Sequence, residues 1–136
     1  MTKTKIKPPA GRAGKIIYWI ATVWLALGML STAIVQLIEM EEEVDVITNL
    51  GYPVYILTIL GIWKILGVTA VLIPKFPLVK EWAYAGFFFI MSGAVISHLA
   101  SGDNAITLFG PLLLLILTGV SWYFRPADRK IVPVHQ

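Results

Sequence analysis

Four apolar stretches, at 16–38, 53–73, 82–100 and 105–124, contain a single formal charge between them, Lys64. Each is close to the ~20 residues that an α-helix needs to cross ~30 Å of hydrocarbon at ~1.5 Å per residue. Stretches such as LLLLIL at 112–117 and FFFIM at 87–91 show no alternation of polarity, which excludes the strands of a membrane barrel. Backbone groups in lipid must be satisfied within their own segment, and that leaves helices. The expected fold is all-α: an integral membrane four-helix bundle over 16–124, with helices at about 16–38, 53–73, 82–100 and 105–124. A basic arm at 1–15 precedes it and a tail at 125–136 follows.

The composition agrees. The chain has 136 residues, 57% of them hydrophobic and 14% charged, with no cysteine. A soluble domain carries about a quarter charged residues, and one this short could not hide so much apolar surface. The lack of cysteine excludes disulfide scaffolds and thiolate zinc or iron–sulfur sites. A cleavable signal peptide is the rival for the first stretch. Its apolar run is longer than a signal core and no small-residue cleavage site ends it, so a retained anchor helix is expected.

Orientation follows from the basic residues. Lys3, Lys5, Lys7, Arg12 and Lys15 precede the first stretch, Lys75 and Lys80 join the second and third, and Arg125, Arg129 and Lys130 follow the fourth. The other two connections hold only acids: Glu39, Glu41, Glu42, Glu43, Asp45 and Asp103. By the positive-inside rule both termini are cytoplasmic, with Tyr18, Trp19, Trp82, Tyr84, Trp122 and Tyr123 in an inner aromatic belt and Tyr52 and Tyr55 near the outer one. The basic arm reads as an anchor to anionic lipid, and no nucleic-acid binding is expected.

Local signals set the helix ends. Pro53 suits the first position of the second helix, Pro74 and Pro77 bracket a short turn, and Asp103 or Asn104 can cap the fourth. Pro111 should free the carbonyl of Thr107 and kink that helix. Gly86, Ile90, Gly93 and Ser97 share one face of the third helix and Gly28 and Thr32 one face of the first, which predicts close helix approach. Glu81 is expected to pair with Lys80 or cap its helix.

Whatever function the sequence reveals lies in its intramembrane polar residues. Lys64 falls near the midplane, where an ammonium costs ~2.5–3.5 kcal/mol on insertion scales, so it should face the interior, titrate or pair. Gln36 and Glu39 share a face at the outer end of the first helix, and His98 lies at the outer end of the third. With Tyr55, these residues could line a polar cavity above Lys64. The alternative leaves Glu39 and His98 in the wet headgroup layer. The acidic run lacks the spacing of a calcium loop and reads as solvated loop. His98 and His135 fall on opposite sides, which argues against haem, and no motif of a self-contained enzyme is present.

Gly51-Tyr52-Pro53, Gly61-Ile62-Trp63-Lys64-Ile65-Leu66-Gly67, Pro74, Lys80-Glu81-Trp82-Ala83-Tyr84-Ala85-Gly86, Gly93-Ala94, His98 and Gly102-Asp103 occur in that order, and together they resemble the DoxX-like family of small four-helix bacterial membrane proteins. The resemblance covers roughly 36–122. Where many members carry Gly-x-x-Lys-Leu near the outer end of the first helix, 33–37 here reads AIVQL, with Gln36 in place of a charge. The resemblance implies the bacterial inner membrane and, by the family's namesake, a subunit of a thiosulfate:quinone oxidoreductase, a quinone-linked or redox-stress assembly. In that setting Lys64, His98, Tyr55 and Gln36 would hydrogen-bond a quinone, with no haem or iron–sulfur cluster in this chain. Two other readings stand beside it: a small proton-coupled transporter using Lys64 with Glu39 or His98, and a scaffold or assembly factor whose polar residues only lock the bundle. Homo-oligomerisation is open under all three.

Overall fold

In the computed structural model of the chain, residues 11–129 are described and form five α-helices and one 3-10 turn, without a strand among them. Lys3, Lys5, Lys7, Lys130 and His135 lie outside the described residues. The helices are α1 (Gly11–Leu37), α2 (Glu41–Asn49), α3 (Ile56–Leu72), α4 (Pro77–Ala100) and α5 (Ala105–Tyr123). The sequence called for four. The additional helix, α2, occupies the acidic run that reads as loop, because Glu41, Glu42 and Glu43 fill its first turn. Negative charge there is favoured by the helix dipole.

The same end of the molecule is organised by three Schellman closures. Met40 and Glu39 N–H groups bond back to Val35 and Gln36 carbonyls, Tyr52 and Gly51 to Ile47 and Thr48, and Asp103 and Gly102 to His98 and Leu99. Each motif places its C′ residue in the left-handed region. Gly51 (φ 90°) and Gly102 (φ 73°) adopt it freely, whereas Glu39 (φ 51°) does so against its Cβ. Three further boundaries differ from expectation. α1 begins inside the basic arm, Pro53 precedes α3 in a turn rather than opening it, and α4 starts at Pro77, not 82. Proline at the first helical position gives up an N–H that had no partner. Asn104 caps α5, its side chain accepting from Thr107 N–H.

The four long helices run antiparallel to their neighbours. α1 lies between α3 and α5, and α4 closes the ring between the same two. Glycines set the approach: a Cβ on Gly28 would meet Leu114 at 2.6 Å, on Gly61 Leu37 at 2.6 Å, and on Gly67 the Phe87 ring at 2.5 Å. Leu25, Met29, Val68, Val71, Tyr84, Phe87, Met91 and Leu114 form the core. The predicted close approach along Gly86 and Gly93 is not found. No atom lies within 4 Å of where their Cβ would be, so that face of α4 stands open.

α1, α4 and α5 are long and apolar enough to cross a membrane. α3 is as apolar but has 17 residues. Its C-terminal carbonyls, which no helix turn can satisfy, are met by cations from elsewhere. Lys80 Nζ donates to Ala70 (2.8 Å) and to Ile73, and Arg129 to Val71 (3.0 Å) and Leu72 (3.2 Å). Arg129 also lies over the Trp19 ring. Glu81 pairs with Arg125 and accepts from Trp122 Nε1, not with Lys80, which points inward. Tyr18 and Tyr84 are core residues rather than belt residues. Tyr84 and Thr22 hydroxyls both meet Ser121 Oγ, at 2.8 and 2.7 Å.

Candidate functional site

Beneath α2 the core gives way to a cavity of about 520 Å³. Every helix contributes to its wall, and the wall is largely apolar: Ile56 and Leu60 from α3, Ile90 and Ala94 from α4, Pro111 and Leu114 from α5. Small residues and a proline make the room. Gly93 and Gly110 line it with open space at their Cβ positions, and Pro111 has no N–H to return to the carbonyl of Thr107, itself a lining residue.

Lys64 lines this space from α3 and is 3% exposed. Its ammonium donates to Gln36 Oε1 (2.9 Å) and Thr32 Oγ1 (3.2 Å), both from α1. Thr32 and Gln36 are one turn apart and present two acceptors side by side. An ammonium has three N–H donors, so two bonds among the described residues leave one for an occupant of the cavity. α2 supplies the opposite wall through Glu43, Val46 and Ile47, with Leu50 just past its end continuing the same face. The Glu43 charge is near enough to act on Lys64. The arrangement is a cationic donor at the floor and a carboxylate in the cover.

His98 also lines the cavity. Its Nδ1 is 2.7 Å from Asp103 Oδ2, and the Schellman turn at the end of α4 fixes the pair by joining their backbones as well. Beside it Tyr52 OH and Ser97 Oγ are 2.7 Å apart, tying the α2–α3 connection to α4. Lys64, Gln36 and His98 thus share one cavity. Tyr55 and Glu39 do not line it. Tyr55 sits before the first turn of α3 and is 67% exposed, and Glu39 spends its position on the turn that reverses the chain into α2.

Glu43, Thr32, Tyr52 and Asp103 belong to the site and were not among the residues expected there. Thr32 and Asp103 had helix-face and capping signals, and neither pointed to a ligand. Glu43 was readable only by taking 43, 46, 47 and 50 as one face of a helix, a pattern that the surrounding charges conceal. Among the described residues no cluster of histidine and carboxylate side chains could hold a metal ion.

Together the walls can take an apolar molecule with one or two hydrogen-bonding groups: acceptors toward Lys64, donors toward Glu43. No curated protein and no solved structure matches the chain. The family model of the DoxX-like family matches residues 20–121, from the middle of α1 to the end of α5 and so across the whole cavity. The chain is a member of the DoxX-like family.

Proposed function

We propose that this DoxX-like membrane protein binds a lipid-soluble carbonyl compound of the quinone class in the cavity under α2, with Lys64 as the donor that orients it. One observation carries the reading. A nearly fully buried ammonium, held by two neutral acceptors rather than a carboxylate, opens onto a largely apolar space in the hydrocarbon-facing part of the fold. A purely structural lysine would be expected to use all its donors on protein, since each unmade bond of a buried charge is costly.

In this reading all four long helices span the bilayer, α3 completing its crossing through the Pro53–Tyr55 turn and the cation-sealed carbonyls at its other end. The basic residues put both termini on the cytoplasmic side of a bacterial inner membrane, with α2 at the outer surface. The protein would serve a redox or thiol-stress assembly as its quinone-binding membrane subunit. Tyr55 and Glu39 take no part in binding.

Extraction of detergent-purified protein and mass spectrometry of the lipid fraction tests this. A quinone is expected with the wild type and about tenfold less with Lys64→Met, a loss typical of one charge-assisted hydrogen bond. Equal recovery from both proteins, or none from either, would remove Lys64 from the reading or the reading altogether.

A further inference from the structure

A second groove, of about 500 Å³, runs along the outside of the α3–α4 seam. It is lined by Trp63, Leu66, Gly67 and Ala70 on one side and by Val79, Trp82, Ala83, Gly86, Phe87 and Ile90 on the other. Ile90 also lines the cavity under α2, so one side chain borders both spaces. Gly86, Ile90, Gly93 and Ser97 follow one another at spacings of four, three and four, on a single face of α4 turned toward this seam. At one point of the seam Gly67 admits the Phe87 ring. Above it Gly93 leaves the wall open, and below it Gly86 does the same.

We propose that the ligand of the cavity is long-chained: its polar head lies by Lys64, and its hydrocarbon tail leaves past Gly93 and Ile90 to lie in the α3–α4 groove. This rests on the binding reading above and adds the class of molecule and its path. Two observations support the tail rather than a second helix. The groove and the cavity share Ile90 as a wall, so a head beside the incompletely bonded ammonium and a tail in the groove are separated by one side chain. And Trp63 on α3 and Trp82 on α4, each more than half exposed, stand as apolar walls on the two sides of it. An aqueous metabolite would have no use for the second groove. A polyprenyl or long-alkyl compound would fill it.

The test measures affinity of the detergent-solubilised full chain for two benzoquinones with the same ring, one bearing a methyl and one a decyl substituent. Gly86→Leu and Val79→Trp each place bulk in the groove. At Gly86 an added Cβ meets no atom within 4 Å and helix propensity rises, so the backbone accepts a side chain there. The wild type is expected to prefer the decyl compound, by about fivefold from added van der Waals contact. Both variants are expected to lose most of that preference while binding the methyl compound as the wild type does. Comparing variants at a fixed probe cancels partition into the micelle. A chain-length preference that survives in both variants overturns the tail path alone. Parallel loss of both probes also overturns it, because the groove would then be acting on the head. Failure of the wild type to bind either probe overturns the binding reading beneath it.

Discussion

Lys64 Nζ lies 2.9 Å from Gln36 Oε1, across the α1–α3 contact and beneath the cavity. The pair is asymmetric. Gln36→Leu leaves a buried ammonium short of an acceptor and is expected to destabilise the protein by about 1–3 kcal/mol. Lys64→Met removes the charge and fills the same volume, and should be within about 1 kcal/mol of wild type or more stable. Thermal unfolding in one detergent measures both. The double variant should fall close to Lys64→Met alone, because the two residues act through one interaction. A Lys64→Met protein less stable than Gln36→Leu would show that the ammonium is a packing element.

Glu39 holds a left-handed backbone at the point where α1 turns into α2. Glu39→Gly should stabilise by about 1 kcal/mol, and Gly51→Ala and Gly102→Ala should each destabilise by a similar amount. Because the Glu39 side chain does not reach the cavity, ligand recovery should be unchanged in Glu39→Gly. Melting curves and ligand extraction on the same preparations separate the two effects.

Glycines of two kinds are distinguishable by one substitution. Gly67→Ala drives a methyl into the Phe87 ring and is expected to cost about 1–3 kcal/mol through overpacking. Gly86→Ala and Gly93→Ala meet nothing and should each gain up to about 1 kcal/mol from helix propensity. The opposite order would mean that the α3–α4 seam is closed in solution.

Arg129 closes the end of α3 from 56 residues further along the chain than Ile73. Arg129→Ala should destabilise by about 1–3 kcal/mol by leaving carbonyls of the last turn without their charged donor. The effect should appear first as faster amide exchange in the turns of α3 and α4 that meet at this end, with the cavity side unaffected. Uniform exchange across both halves would argue against a local cap.

Ser121 Oγ is within hydrogen-bond distance of the hydroxyls of both Thr22 and Tyr84. Ser121→Ala should therefore cost about 1–2 kcal/mol, more than a single weak pair, since two buried groups lose a partner together. Thr22→Val, which removes only one of them, should cost less. Unfolding in detergent ranks the two.

The all-helical class, the apolar segments that became α1, α4 and α5, and the position of Lys64 as the lone charge within the apolar stretches were legible in the sequence itself. Apolar run length and the scarcity of charge are local properties, and desolvation of the backbone and of a lone ammonium admits few solutions. Tertiary structure decided what those residues meet. Glutamates 41–43 look like solvated loop until a Schellman turn at Glu39 and the burial of Ile47 fold them into a cover that carries Glu43 to the cavity. The Gly86–Ser97 face looks like a packing stripe, yet Gly93 and Ser97 line the cavity and Gly86 the outer groove, while Phe87, one residue away, makes the close contact with Gly67. Tyr18 and Tyr84, placed by composition at the interface, are drawn inward by the chance to share Ser121 or to fill the core beside it. Periodicity tells which residues lie on one face of a helix. Only packing decides whether that face finds a helix, a cavity or lipid.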